Sequence, residues 1–174
     1  MNALSKLPLH LSAVTICLFV FCAPDLAAAN RKTCTEAEEK LALDQADQLK
    51  DWNAVYRSFR RFAQCDDGAI AEGYSDTVGR LMAHDWKHFT ALSKLAAGDK
   101  KFADFVLSHI DATVPSDELK PIETNARKSC PPGQAHLCKK ILERTHSAIV
   151  ESIGKQVQAT DEGDDQQPTH HRTF

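Results

Sequence analysis

Two histidines four residues apart, in His84-Asp85-Trp86-Lys87-His88, have the most specific chemical spacing in this chain of 174 residues. On one continuous helix both imidazoles would share a face, and such a pair with an acid between them is the nucleus of a zinc hydrolase site. Asp85 would then take a proton from zinc-bound water. Asp stands where zinc proteases of this spacing use Glu, and its shorter side chain reaches less far. A third ligand is needed too, for which His109 or Asp111 is available without a signature of its own. Asp85 is also a favoured helix cap, and a helix boundary there takes His84 off the face that bears His88. The expectation is therefore solvent-facing histidines beside a capped helix, with zinc chemistry at His84 and His88 as the alternative and no cofactor required.

A second group is acidic: Cys65-Asp66-Asp67-Gly68 followed by Glu72 and Asp76. Calcium favours such oxygen donors, but the spacing does not match an EF-hand loop, whose ligands alternate over about twelve residues before a bidentate Glu. Carboxylates in a first helical turn also interact well with the helix dipole. A helix-capping role is the plainer expectation, and Asp66, Asp67, Glu72 and Asp76 are the surface best suited to a basic protein partner. Nucleophilic catalysis has less support, because the chain holds no Gly-x-Ser-x-Gly elbow and no glycine-rich phosphate loop. His170 and His171 are expected to bind metal only adventitiously.

The setting for these residues is expected to be outside the cytosol. Lys6, the apolar run from Leu9 to Cys22 and the small residues Ala27, Ala28 and Ala29 have the order of a secretory signal, which is shorter than the ~20 residues of a bilayer span. Cleavage after residue 29 leaves a periplasmic or secreted chain with no membrane anchor. Cys17 and Cys22 leave with the signal, so the six cysteines become four, namely Cys34, Cys65, Cys130 and Cys138. An even number in an oxidising compartment implies two disulfides. Of three possible pairings, Cys34–Cys65 with Cys130–Cys138 closes the shortest local loops. Zinc held by four thiolates would call for Cys-x-x-Cys spacings, which are absent.

The signal contains one Lys and one Asp, so the net charge of −3 is the same before and after its removal. Nucleic-acid binding needs a concentrated basic face. The densest basic group, Arg57, Arg60 and Arg61, is expected to be the solvated flank of an amphipathic helix.

Apolar residues recur at helical spacing throughout, and no alternating run is long enough for a strand. Thr35 and Glu38 form a capping box for a first helix that buries Leu41 and Leu49. Asp51 caps a second with Trp52, Val55, Tyr56, Phe59 and Phe62 on one face. After the acidic turn, Ile70, Tyr74, Val78 and Leu81 mark a third, in which Gly73 and Gly79 imply close helix packing. Asp85 opens a fourth, stopped by Gly98, and Asp99 a fifth with Phe102, Phe105, Val106 and Ile110. A shorter helix strained by Pro121 follows. Cys130, Pro131, Pro132 and Gly133 make a stiff turn before a long final helix from Gln134. Asp51-Trp52 and Asp85-Trp86 echo each other 34 residues apart, but Tyr56, Arg80 and Phe102 stand where tetratricopeptide repeats need small residues or Pro.

The expected fold is all-α: a single compact domain, residues 30–157, of about six to seven antiparallel helices in a bundle or helical-hairpin array, followed by a disordered polar tail over 158–174. The expected function is non-enzymatic: binding of another protein in the periplasm, as an inhibitor or an immunity factor against a secreted hydrolase. The alternative is a carrier whose Trp52, Tyr56, Phe59, Trp86, Phe89 and Phe105 line a cavity for a small apolar ligand.

Overall fold

Four residues that can accept hydrogen bonds from free helical amides set the start of four helices. Thr35 and Glu38 form the reciprocal capping box of α1 (Glu36–Leu43), and Asp51 accepts from the Ala54 amide at 2.8 Å to start α2 (Trp52–Phe62). Asp67 caps α3 (Gly68–His84) through the Gly68 amide. Helix α4 (Phe89–Gly98) runs into Asp99, which accepts from the Lys101 and Phe102 amides to start α5 (Lys100–Ser108). Helices α6 (Ser116–Lys128) and α7 (Ala135–Asp164) complete the chain.

The computed structural model describes residues 33–164, with side chains to residue 158. The expected secretory signal, His170, His171 and the last ten residues of the expected tail lie outside that range. Among the described residues the protein is all-α, with seven α-helices, short 3-10 turns and no strand. Both disulfides form as expected: Cys34–Cys65 and Cys130–Cys138, with Cα separations of 4.9 and 6.1 Å.

One stripe of each helix faces a common core. Trp52, Val55 and Phe62 of α2 meet Tyr74, Val78 and Leu81 of α3, Phe89 and Leu92 of α4, Phe102 and Phe105 of α5, Ile122 of α6 and Ile141 of α7. Helix α6 packs between α3 and α7. Both close-approach glycines lie on α3. A Cβ at Gly73 would come 2.9 Å from the Ala46 side chain, and one at Gly79 would come 2.7 Å from both Val114 Cγ1 and Glu118 Oε2. Backbone carbonyls between elements are also met by side chains: Thr77 donates to Ala46 O, Arg80 to Leu49 O, Asn125 to Met82 O and Ala83 O, and Arg144 to Leu107 O. Such bonds satisfy carbonyls that a helix end leaves unpaired.

Three local expectations are corrected. Helix α1 ends at Leu43 rather than continuing to Leu49, so Leu41 is exposed while Leu49 is buried from the following turn. The fourth helix stops at Gly98 as expected but does not open at Asp85, which makes no side-chain capping bond and precedes a 3-10 turn, so that α4 begins at Phe89. Helix α6 continues through Pro121 for 13 residues.

Candidate functional site

The acidic turn separates into residues with different surroundings. Cys65 is the last residue of a 3-10 turn and is held by Cys34, which fixes where Asp66 leaves the backbone. Asp66 turns inward, and its Oδ1 lies 3.0 Å from Nε2 of His109, a residue only 4% exposed. The other ring nitrogen of His109, Nδ1, is 2.8 Å from the Phe105 carbonyl. A carbonyl can only accept, so Nδ1 donates to Phe105, while Nε2 faces the Asp66 carboxylate. Tyr74 and Phe105 pack their rings on this imidazole at 5.6 and 4.3 Å. Burial pushes the Tyr74 phenol up, the 2.8 Å hydrogen bond with Ser58 opposes that, and the Asp66 charge adds to it. Asp66 is therefore half-buried and one half of an internal pair, whereas Asp67 beside it is exposed.

Asp67 and Glu72 are exposed, and Asp76 is half-buried. Asp67 lines a groove of about 360 Å³ together with Glu39 and Leu43 of α1, Gln64, Ile70 and the Cys34–Cys65 bridge. Leu43 is 49% exposed there. Ile70 is buried and anchors the first turn of α3. The backbone of Gly68 has φ of 50°, a conformation that costs glycine little and lets the chain turn directly from Asp67 into the helix. The result is an apolar floor with two carboxylates and one amide around it.

Asp76 belongs to a different cluster, on α3 and α6. Glu118, which the sequence did not single out, inserts over Gly79 and is 12% exposed, with Oε1 3.6 Å from His84 Nε2. Its Oε2 is buried without a hydrogen-bond partner. Burial pushes the Glu118 carboxyl above its ordinary range; the nearby His84 pulls it down, while the charges of Asp76 and Asp117 push it further up. No local pattern marks Glu118, since its significance depends on the crossing of two helices.

The two histidines of the zinc-like spacing do not act together. Helix α3 ends at His84, and Trp86–His88 form a 3-10 turn. His84 faces Glu118, whereas His88 Nδ1 lies 2.7 Å from Asp85 Oδ1. That carboxylate is directed at its own neighbour rather than at a site between the imidazoles. His109 is occupied by Asp66, and Asp111 accepts from Ser75 Oγ at 3.1 Å and from the Thr113 amide at 2.8 Å. Among the described residues, no three His, Cys, Asp or Glu side chains group where a metal ion could sit.

Five of the six aromatic residues expected to line a ligand cavity, all but Trp52, pack against other rings. Phe59 lies 5.4 Å from Phe102 and 5.0 Å from Phe105, and Trp86 stacks on Phe89 at 4.4 Å. A second groove, about 350 Å³, lies instead beside α4, α5 and the start of α7, lined by Ala96, Ala97, Ala103, Leu107 and Leu137 with Lys100, His136 and Lys140. Arg57, Arg60 and Arg61 are exposed on the flank of α2. Comparison with protein-family models, with curated proteins and with solved structures gives no match to this chain.

Proposed function

We propose that this protein acts by binding another protein, outside the reducing cytosol, through the groove beside Cys34–Cys65. The observation that carries the reading is Leu43, half-exposed in a groove that it shares with the carboxylates of Glu39 and Asp67. Exposed apolar surface rimmed by polar groups is the usual form of an interaction site. The fitting partner surface presents a small apolar side chain flanked by Lys or Arg. Two disulfides support an exported setting, and inhibition of, or immunity to, a secreted hydrolase is the specific role that suits a binder there. A photo-crosslinking residue at Leu43 should capture one protein in the native compartment, with capture reduced at least fivefold by Glu39→Gln plus Asp67→Asn. Asn retains the α3 cap, so loss reports charge and not unfolding. Equal capture from Lys94, on α4, would overturn the assignment.

The carrier reading has one observation of its own, the alanine-lined groove beside α4, α5 and α7. Its volume is at the lower end for small-molecule sites, which span roughly 300–1,000 Å³. Native mass spectrometry detecting a stoichiometric apolar ligand, displaced by Ala103→Leu, would favour it.

A further inference from the structure

The groove beside α4, α5 and the start of α7 joins an apolar wall to an uncompensated positive charge. Ala96 and Ala97 near the end of α4 and Ala103 of α5 leave the space, because their side chains stop at one methyl, and Leu107 and Leu137 supply branched apolar surface around it. Leu107 belongs to the core and Leu137 packs against it, so the wall is continuous with the protein interior. Among the described residues that line the groove there is no Phe, Tyr or Trp to stack on a ring.

The charges at this groove do not balance. Its one acid among the described lining residues, Asp104, is held by Lys100 at 2.7 Å. Lys140 lies one turn beyond His136 on α7 and lines the same groove, half-buried, with no carboxylate within ion-pair distance among the described residues. Its neighbour Lys139 is exposed and has Glu143 at 3.7 Å. Of two adjacent lysines, the one that loses water to an apolar wall is the one without a counter-charge. A cation so placed costs free energy that a bound anion offsets. With His136 neutral, two lysines against one aspartate leave the lining one positive charge, in a chain whose net charge is −3.

From this charge complementarity we infer that the groove takes an aliphatic monocarboxylate, its carboxylate on Lys140 and its alkyl chain along Ala96, Ala103, Leu107 and Leu137. The inference rests on the carrier reading of this groove and names the ligand. A monoanion neutralises the one surplus charge, whereas a dianion would leave excess negative charge beside Asp104. His136, four residues before Lys140 and so on the same face of α7, also lines the groove and is a second donor for the carboxylate. The volume, about 350 Å³, suits a chain of medium length.

Backbone amide NMR shifts of the protein titrated with octanoate near neutral pH should locate one site at Ala96, Ala103 and Leu137. Octanol has the same chain length and no charge, and should bind about tenfold more weakly or worse. Lys140→Met should weaken octanoate about tenfold and leave octanol unchanged, while Lys140→Arg, which keeps the charge, should restore most of the affinity. Methionine is as good a helix former as lysine, so the variant remains folded, which circular dichroism checks. Equal affinity for octanoate and octanol, or octanoate binding that Lys140→Met does not weaken, would overturn the inference and leave the carrier reading standing. Binding of neither compound would overturn both. Shifts of the same amides with protein concentration alone would give the groove to a second copy of the chain and also overturn the inference.

Discussion

Asp66 Oδ1 and His109 Nε2 meet at 3.0 Å across 43 residues of sequence, joining the turn locked by the first disulfide to the end of α5. His109→Ala leaves the Phe105 carbonyl and the Asp66 carboxylate without this partner and opens space beside Tyr74. The expected loss is about 2–4 kcal/mol in urea unfolding. Asp66→Ala should cost about 1–3 kcal/mol. The double variant should lose less than the sum by at least about 1 kcal/mol, and strict additivity would show that the two groups do not act as a pair.

The two disulfides close loops of different length, 31 and 8 residues of separation. Chain entropy assigns about 3–4 kcal/mol to Cys34–Cys65 and about 2–3 kcal/mol to Cys130–Cys138. Paired Cys→Ser variants, compared by denaturant midpoint, should keep that order. The first pair should also weaken the Asp66–His109 coupling, because Cys65 sets the position of Asp66.

Gly79→Ala and Gly98→Ala should change stability in opposite directions. Alanine is the better helix former by up to about 1 kcal/mol. At Gly98 nothing lies within 4 Å of the new methyl, so the variant should be more stable by about 0.5–1 kcal/mol. At Gly79 the methyl would lie 2.7 Å from Val114 and Glu118 atoms. Overpacking of that kind costs about 1–3 kcal/mol, and thermal unfolding of both variants decides whether the α3–α6 contact is as rigid as it looks.

Glu118 gives the stability a pH dependence of defined sign. Burial raises its carboxyl in the folded state above the ordinary value of 4.5, so the folded protein holds this proton more tightly than the unfolded chain does. Its contribution is complete below that ordinary value and is lost as pH rises through the folded-state value. Glu118→Gln removes the titration. The stability of the variant relative to the parent should therefore increase from about pH 4 to pH 7, whatever constant offset the amide introduces. A difference that stays flat with pH would mean that Glu118 is not held protonated by burial.

Much of the fold is legible locally. The Thr35–Glu38 box, the Asp51 and Asp99 caps, the apolar stripe of α2 and the short-loop disulfides all depend on residues near one another in sequence, and each forms. The close packing implied by Gly73 and Gly79 also forms. The end of α1 was not legible, because Leu41 has the spacing of a buried position but no facing element covers it. Helix α6 continues through Pro121 although proline removes a backbone donor. Its Leu119, Ile122 and Ala126 are buried, and that packing outweighs local propensity.

What the sequence determined by itself is the helical period and the caps at Thr35, Asp51 and Asp99, since turn-by-turn hydrogen bonding is local; short loop closure favoured the observed cysteine pairing without deciding among the three. Only the tertiary structure decided that Asp66 faces His109 while Asp67 faces the groove, that His84 meets Glu118 and not His88, and that Glu118 is buried over Gly79. The physical reason is that a carboxylate's residue type records its charge but not its direction. Direction is set by which distant helix packs against it, and therefore by how much water remains around it.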